Sequence, residues 1–308
     1  MANDAIHPDY KDLRIGDASF DGGFMLLINT LIRLQNLFRN KNPAVSYQKY
    51  YAKAQDASNI KIEVIRPVGQ KPSRCLVHYS GGAFCVGPQP AHYEKAELYA
   101  IEANCTVIFV TYRLAPKHRF PIGLNDCFSA LQWTIDNAEM LGIDAKNIIV
   151  AGDSAGGFMA AAIPQMAMDK LTIPLKAQLM IYPVTDPSCS STSATEFSAV
   201  PIFSGNANRA MWDAYLGDLD RNALPAYAAP IERQQLQGLP NAYIETAEFD
   251  PLRDEGIAYA QRLENAGVNV QLNNTKATVH GFDIYTKNDL YYAAMKSRYD
   301  FLNAEFAR

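Results

Sequence analysis

Residues 152–157 read Gly-Asp-Ser-Ala-Gly-Gly, directly after the apolar run at 147–151 and directly before a stretch with a helical pattern. A G-x-S-x-G pattern between a strand and a helix predicts a tight corner that exposes the serine hydroxyl at the carboxyl end of the strand. Glycines fit this corner because side chains two residues either side of the serine would collide. The following helix directs its N–H groups and positive dipole end at the same point. The stretch therefore predicts Ser154 as a nucleophile.

Short β-branched runs alternate with helical patterns along the rest of the chain. The predicted strands are 60–67, 74–79, 105–111, 147–151, 177–182, 241–246 and 268–273, and the predicted helices are 91–104, 122–140, 155–170, 253–266 and 289–307. This alternation predicts βαβ units and a mainly parallel sheet. The first two strands are separated by only six residues, too few for a crossover, so we expect them to pair antiparallel. Pro164 lies inside a predicted helix, which we expect it to kink or end.

Two segments fall outside this alternation. Residues 20–41 predict an amphipathic helix, with apolar side chains at helical spacing at Phe24, Leu27, Leu31, Leu34 and Phe38. Residues 186–230 insert Ser/Thr/Pro-rich sequence, with a short helical piece at 208–216. The insertion is either an ordinary surface loop or, as we prefer, part of a lid that both segments form over Ser154. The expected organisation is N-terminal cap helices in 1–45, a core in 46–185 and 231–308, and a cap or lid insertion in 186–230.

Composition narrows the class of protein. The 308 residues are 48% hydrophobic, enough for one large core, and a net charge of −4 gives no electrostatic reason to expect a nucleic-acid partner. The five cysteines are widely spaced and mostly sit in apolar segments, so we expect buried reduced thiols and no metal site. The N-terminal region lacks the apolar core of a secretory signal, and no stretch approaches the length of a membrane span. We therefore expect a cytoplasmic location.

A serine hydroxyl needs a base to act as a nucleophile, and the base needs an orienting group. Sites of this type follow the chain order serine, acid, histidine. His280 is the one histidine after Ser154, and it follows the last predicted strand. The remaining histidines precede the serine: His7, His78, His92 and His118. We therefore predict His280 as the base.

The acid should lie between the serine and the histidine, at the end of a strand. We choose Asp250, because it follows the strand at 241–246 and Pro251 fixes the turn after it. Its rivals are Glu248, Asp254 and Glu255. Asp254 and Glu255 look like first-turn helix acids that complement the dipole. Glu248 could instead be a buried group that supports the loop.

An acyl-transfer site also needs backbone N–H groups where the carbonyl oxygen becomes negative. One such donor is the residue after the nucleophile, Ala155. Residues 79–84 read Tyr-Ser-Gly-Gly-Ala-Phe and follow an early strand. Their flexible backbone makes Gly81, Gly82 and Ala83 the expected further donors. A plain glycine turn is the alternative interpretation.

Taken together, these motifs resemble the hormone-sensitive-lipase-like (family IV) carboxylesterases of the α/β-hydrolase superfamily. The matches, in order, are Y-R-L-A-P at 112–116 with Phe120-Pro121, G-D-S-A-G-G at 152–157, D-P-L-R-D-E-G at 250–256 and H-G-F at 280–282. The resemblance implies an α/β-hydrolase fold, a mostly parallel twisted sheet flanked by helices, with a helical cap. It also implies nucleophile, acid and base roles for Ser154, Asp250 and His280, and short-chain acyl esters as substrates. A homodimer is plausible on the same ground, and the chemistry needs neither a metal nor an organic cofactor.

The glycine loop departs from the family pattern. The family usually reads H-G-G-G or H-G-G-A there, whereas this chain has Ser80 in place of the histidine. Ala83 still offers an N–H group, provided that its position does not demand a positive φ. We expect a modest cost in activity or an altered pocket. Two other functions stay open: amide, lactone or peptide hydrolysis by the same three residues, and a non-catalytic binding receptor on this fold.

Overall fold

A computed structural model describes residues 5–13 and 20–308. Its centre is an eight-stranded sheet in the order β1-β2-β4-β3-β5-β6-β7-β8. The strands are β1 (Val45–Lys53), β2 (Asn59–Pro67), β3 (Cys75–Tyr79), β4 (Thr106–Thr111), β5 (Ile148–Asp153), β6 (Ala177–Ile181), β7 (Asn241–Phe249) and β8 (Val270–Val279). β1 pairs antiparallel with β2, and β2 antiparallel with β4. All other pairs are parallel, so the carboxyl ends of β3 to β8 meet at one edge.

Helices cover both faces of this sheet. They are α1 (Pro8–Lys11), α2 (Gly22–Leu37), α3 (Pro90–Glu102), α4 (Ile122–Asp136), α5 (Ala138–Leu141), α6 (Ala155–Lys170), α7 (Thr192–Glu196), α8 (Gly205–Leu216), α9 (Arg253–Asn265), α10 (Phe282–Tyr285) and α11 (Asp289–Ala307). Successive β5 residues alternate between the faces: Ile148 and Val150 pack with α4 and α6, whereas Ile149 and Ala151 pack with α3 and α11. This two-sided burial explains why the central strands are continuous apolar runs. The predicted α/β-hydrolase architecture is confirmed.

The predicted antiparallel pairing of segments 60–67 and 74–79 is wrong. β4 lies between β2 and β3, so β2 pairs with β4 and β3 pairs with β4 and β5. The observed connection, residues 68–74, has seven residues and leads the chain past one position in the sheet. That position is occupied by β4, which follows the α3 crossover. β2 obtains its hairpin partner from β1, a strand that sequence analysis did not predict. β1 is a half-exposed edge strand with a polar composition, which hides its strand pattern.

Helix α2 confirms the helix predicted in 20–41, and Asp21 caps it by accepting from the N–H groups of Gly23 and Phe24. Its orientation is unexpected. Met25 is buried and Ile28 packs against the core, whereas the apolar positions that predicted the helix face outward. These side chains are 47–84% exposed: Phe24, Leu27, Leu31, Leu34 and Phe38.

Pro164 does not end α6, which continues to Lys170. Every α6 residue from Ala155 to Ala167 is buried, so packing stabilises the helix despite one missing hydrogen bond. All five cysteines are free and buried, as predicted. Within the described residues, no helix is long and apolar enough to cross a membrane, and no cluster of His, Cys, Asp and Glu could hold a metal ion. Residues 1–4 and 14–19 of the predicted N-terminal cap lie outside the described part.

Candidate active site

Ser154 lies at the corner between the last residue of β5 and the first residue of α6, with φ 57° and ψ −118°. Such a backbone conformation is strained for a residue with a side chain and is typical of functional sites. The corner leaves no room for side chains beside the serine. A Cβ on Gly152 would lie 2.1 Å from the Gly156 carbonyl oxygen, and one on Gly156 would lie 2.0 Å from the Tyr79 carbonyl oxygen. The glycines of the motif are therefore required by contact.

The three residues predicted as nucleophile, base and acid lie in one hydrogen-bonded chain. His280 Nε2 lies 2.9 Å from Ser154 Oγ, and His280 Nδ1 lies 2.8 Å from Asp250 Oδ2. The second Asp250 oxygen accepts from the Leu252 N–H at 2.9 Å, which fixes the carboxylate. Since the carboxylate accepts from Nδ1–H, Nε2 is free to accept the serine proton. Asp250 is fully buried, and Ser154 and His280 are 7% and 6% exposed.

The other three carboxylates considered as the acid make contacts away from His280. Glu248 accepts from the Ala277 N–H at 2.8 Å and from Lys276 at 3.0 Å, so it ties down the end of β8 that leads to His280. Burial opposes its ionisation, but these two donors hold the pKa of Glu248 below its usual value. Sequence analysis considered such a role for Glu248, as a group that supports the loop.

Asp254 and Glu255 lie in the first turn of α9, as expected, but both also bind the insertion. Asp254 accepts from the Ser193 N–H at 2.8 Å. Glu255 is buried and accepts from the Thr185 N–H at 2.6 Å and the Asp186 N–H at 3.1 Å. Burial raises the pKa of Glu255 well above its usual value, despite these two donors. Both acids therefore anchor the start of the 186–230 insertion to the core.

The glycine loop, residues 80–84, lies directly against the serine. A Cβ on Gly81 would lie 3.2 Å from the Ser154 Cβ. Gly82 has φ 129° and Ala83 has φ 51°, so the position of Ala83 does adopt the conformation that favours glycine. Within the described residues, the N–H groups of Gly82 and Ala83 make no hydrogen bond. They are available to a ligand, as is the first N–H of α6, at Ala155.

Ser80 occupies the place where the resembled family has histidine. Its carbonyl oxygen accepts from the Tyr112 hydroxyl at 2.8 Å, and Tyr112 belongs to the Y-R-L-A-P motif. Downstream, the N–H groups of Cys85 and Val86 both donate to the Gly82 carbonyl oxygen, at 2.9 and 2.7 Å. These bonds hold both ends of the loop, so the loop is braced without the histidine side chain.

A buried network of charges, not identified from the sequence, lies behind the site. Lys95 on α3 lies 3.6 Å from Asp153 and 3.2 Å from Asp283. Asp153 precedes Ser154, and Asp283 follows His280 by three residues. Burial alone would raise the pKa of Asp153, but Lys95 and His92 hold it well below its usual value. The network thus joins the backbone beside the serine to the loop beside the histidine.

The same network extends to the last helix and the sheet. Arg298 on α11 is fully buried and pairs with Asp283 at 2.6 Å and with both carboxylate oxygens of Glu245 on β7. Charged residues on helices are usually solvated, so nothing in their local sequence distinguished Lys95 or Arg298. The one available signal was Glu245, a carboxylate inside a predicted buried strand, which requires a partner.

Aromatic side chains close the remaining sides of the site. Phe84, directly after the glycine loop, stacks on Tyr215 of α8 with ring centroids 3.7 Å apart. Trp212 of the same helix lies 5.8 Å from Phe84, and Phe158 of α6 packs edge-on to Phe84 at 5.1 Å. On the other side, the rings of Phe203 and Tyr182 each lie 4.7 Å from His280. The insertion is therefore in contact with both the glycine loop and the histidine.

Residues 76–284 match a protein family described as having the alpha/beta hydrolase fold. The chain belongs to the α/β-hydrolase family. Among known proteins that resemble this chain, carboxylesterase NlhH of Mycobacterium tuberculosis is 42% identical over 219 residues, which cover 70% of this chain and 68% of that protein. Ethyl acetate hydrolase of Pseudomonas putida is 33% identical over 232 residues, covering 74% and 73% of the two chains.

Among solved structures, esterase LipW from Mycobacterium marinum superposes with a TM-score of 0.90 at 30% identity, covering 100% of this chain and 98% of that one. The resemblance to the hormone-sensitive-lipase-like carboxylesterases is thereby confirmed. This α/β-hydrolase is a carboxylic ester hydrolase. The fold, the hydrogen-bonded serine and histidine, and the named relatives all agree with that class.

Proposed function

We propose that this α/β-hydrolase hydrolyses short-chain acyl esters through an acyl-enzyme on Ser154, with His280 as base and Asp250 as the acid that orients it. One observation carries the assignment of roles: the chain of hydrogen bonds from Ser154 Oγ to His280 Nε2, and from His280 Nδ1 to Asp250. In this arrangement the serine proton has an acceptor within 2.9 Å, and the imidazolium that forms is stabilised by a buried carboxylate.

The reaction follows from these positions. Ser154 Oγ attacks the ester carbonyl carbon while His280 Nε2 takes its proton. The carbonyl oxygen becomes negative and accepts hydrogen bonds from the N–H groups of Gly82, Ala83 and Ala155, with Gly81 giving the loop its close approach. The carbon–oxygen bond to the alcohol then breaks, and the alkoxide takes the proton from His280. A water molecule, deprotonated by His280, attacks the acyl-enzyme and releases the acid and free Ser154.

A preference for short acyl groups is supported by the aromatic packing beside the loop. Phe84 and Tyr215 are in direct stacking contact, so the space next to Ala83 is filled by the protein itself. Ser154 is only 7% exposed, which leaves little room for a long chain in the described structure. The name of the Pseudomonas putida relative, ethyl acetate hydrolase, is consistent with a small acyl group.

We also propose that the N-terminal segment and the 186–230 insertion form the lid. Support comes from two contacts of the insertion on either side of Ser154, Phe203 against His280 and Tyr215 against Phe84. The division into 1–45, 46–185 with 231–308, and 186–230 remains a prediction, as do the cytoplasmic location and the homodimer.

Labelling and a substrate series test the proposal. Wild-type protein should be labelled at Ser154 by an organophosphonate and should hydrolyse p-nitrophenyl acetate and butyrate faster than the decanoate. Ser154→Ala should lose labelling and turnover, while Ser190→Ala, in an exposed part of the insertion, serves as the matched control. A Ser154→Ala protein that still turns over esters would contradict the mechanism. Faster hydrolysis of an anilide or a lactone would favour the alternative substrates.

A further inference from the structure

Helix α2 presents an apolar face to solvent in addition to the face that packs on the core. Six of its side chains are between 47% and 75% exposed: Phe24, Leu26, Leu27, Leu31, Leu34 and Leu37. Phe38, which ends the helix, is 84% exposed. At 100° per residue these seven positions form one continuous outward stripe about 160° wide. A contiguous exposed apolar surface of this kind marks an interaction site.

The orientation of α2 is fixed from its inner side. Asn29 donates to the Cys85 carbonyl oxygen at 2.8 Å and accepts from the Gly87 N–H at 2.7 Å. Two turns further on, Asn36 donates to the Pro88 carbonyl oxygen at 2.7 Å. With Met25 buried on the same side, the helix cannot rotate its outward stripe into the core without breaking these contacts. The segment that α2 contacts directly follows the glycine loop, so the helix packs beside the ester site and its stripe faces away from the core.

The charges near the stripe are mostly basic. Asp21 caps α2 by accepting from its first N–H groups, but the stretch after it, residues 22–55, contains five Lys and Arg and no Asp or Glu, although the whole chain carries a net charge of −4. Arg33 is exposed on the helix itself, at the border of the stripe, and Lys41 is exposed just after it. Arg39 is not available to a partner, because it is paired with Glu97 at 3.1 Å. An apolar stripe bordered by basic side chains is the pattern of a helix that lies in an anionic lipid surface.

We propose that α2 docks this enzyme on an anionic lipid surface, with its stripe in the acyl layer and Arg33 and Lys41 at the headgroups. A second copy of the chain fits less well. In a two-fold contact the same patch meets itself, so basic residues from both copies would gather at one interface. An anionic surface neutralises them instead. Docking by α2 does not depend on Ser154. Vesicle binding can therefore be absent in an active ester hydrolase, and it can be present in a protein whose Ser154 is inactive.

Vesicle sedimentation of the full chain tests this docking. The probes are vesicles of pure phosphatidylcholine and vesicles with 30% phosphatidylglycerol. We expect binding to the anionic vesicles only, reduced at high salt because the attraction is screened. The variant L26Q/L37Q/F38Q should bind about tenfold or more weakly, since three large apolar groups no longer enter the lipid. Its control, V68Q/M140Q/Y292Q, removes three large hydrophobic side chains elsewhere that are 56–60% exposed, and it should bind like wild type.

Near-UV circular dichroism verifies that each variant is folded. Arg33→Gln should weaken binding to anionic vesicles, because it removes one of the two basic side chains at the headgroups. Absence of wild-type binding to anionic vesicles would overturn the proposal. So would equal loss of binding in the stripe variant and its control. A dimer detected by light scattering that is abolished by L26Q/L37Q/F38Q, without vesicle binding, would assign the stripe to a second copy instead.

Discussion

The ammonium nitrogen of Lys95 lies 3.2 Å from a carboxylate oxygen of Asp283, and both side chains are buried. The same nitrogen lies 3.6 Å from Asp153. One cation is therefore shared by two carboxylates, one next to Ser154 and one in the short helix that follows His280. Its burial is tolerable only because the carboxylates compensate its charge. In return, it fixes the distance between the two parts of the backbone that present the serine and the histidine.

Replacing Lys95 with methionine should lower the free energy of unfolding by about 3–5 kcal/mol, because buried carboxylates lose their shared cation. Urea denaturation measures the effect. Lys296→Met is the matched control: Lys296 forms an exposed pair with Asp300, and such pairs contribute about 0.5 kcal/mol or less. Equal stability of the two variants would show that the buried network contributes nothing.

The choice between Asp250 and Glu248 as the acid can be decided by kinetics. Asp250→Asn should reduce kcat by about 10⁴-fold, because the amide favours the wrong histidine tautomer. Glu248→Gln keeps an oxygen that can accept from the Ala277 N–H, so kcat should fall less than about tenfold. Turnover of p-nitrophenyl acetate measures both. The reverse ranking would transfer the role of the acid to Glu248.

Ala83→Gly should raise the free energy of unfolding by about 1 kcal/mol, since alanine at φ 51° is strained and glycine is not. Ala57→Gly is the matched control, an exposed alanine with φ 62° far from Ser154 in sequence. Both should gain stability in urea, and only Ala83→Gly should change kcat. If neither variant gains stability, the positive φ at these two alanines does not destabilise the folded protein.

Glu255 should make stability depend on pH in an unusual direction. Its pKa is raised in the folded protein, so the folded chain holds the proton more tightly than the unfolded chain. That contribution is complete below the unfolded pKa of about 4.3 and declines as pH rises towards the folded pKa. Glu255→Gln does not titrate and keeps an acceptor for the Thr185 N–H. Its stability relative to wild type should therefore increase from pH 4 to pH 8, and a constant difference in urea unfolding would contradict this.

Local sequence patterns were sufficient to predict the candidate site, but they did not predict which distant strands pair. The corner around Ser154 and the loop histidine His280 are recognisable because their chemistry depends on a few adjacent residues, and the structure brings both together with Asp250. The predicted pairing of β2 was wrong because the order of strands in a sheet depends on the whole chain, including strands that come later in the sequence. β1 was missed because an edge strand needs only one apolar face.

Two further features were inaccessible to sequence reasoning for different reasons. The partners of Lys95 lie 58 and 188 residues away, at Asp153 and Asp283, and nothing in α3 signals a buried cation. In α2, helical spacing correctly gave the helix, but the same spacing cannot tell whether an apolar stripe faces the core or the surface. The inner face, with Met25 and Asn29, is defined by what it touches.

The stacked rings of Phe84 and Tyr215 join the insertion to the glycine loop. Phe84 directly follows Ala83, so a displacement of α8 would pull on the backbone that, in the proposed mechanism, binds the carbonyl oxygen of the substrate. Under that mechanism, a displaced insertion would leave the site inactive. An ester would then have to reach Ser154 past aromatic rings that α8 holds in place, a route that favours small substrates.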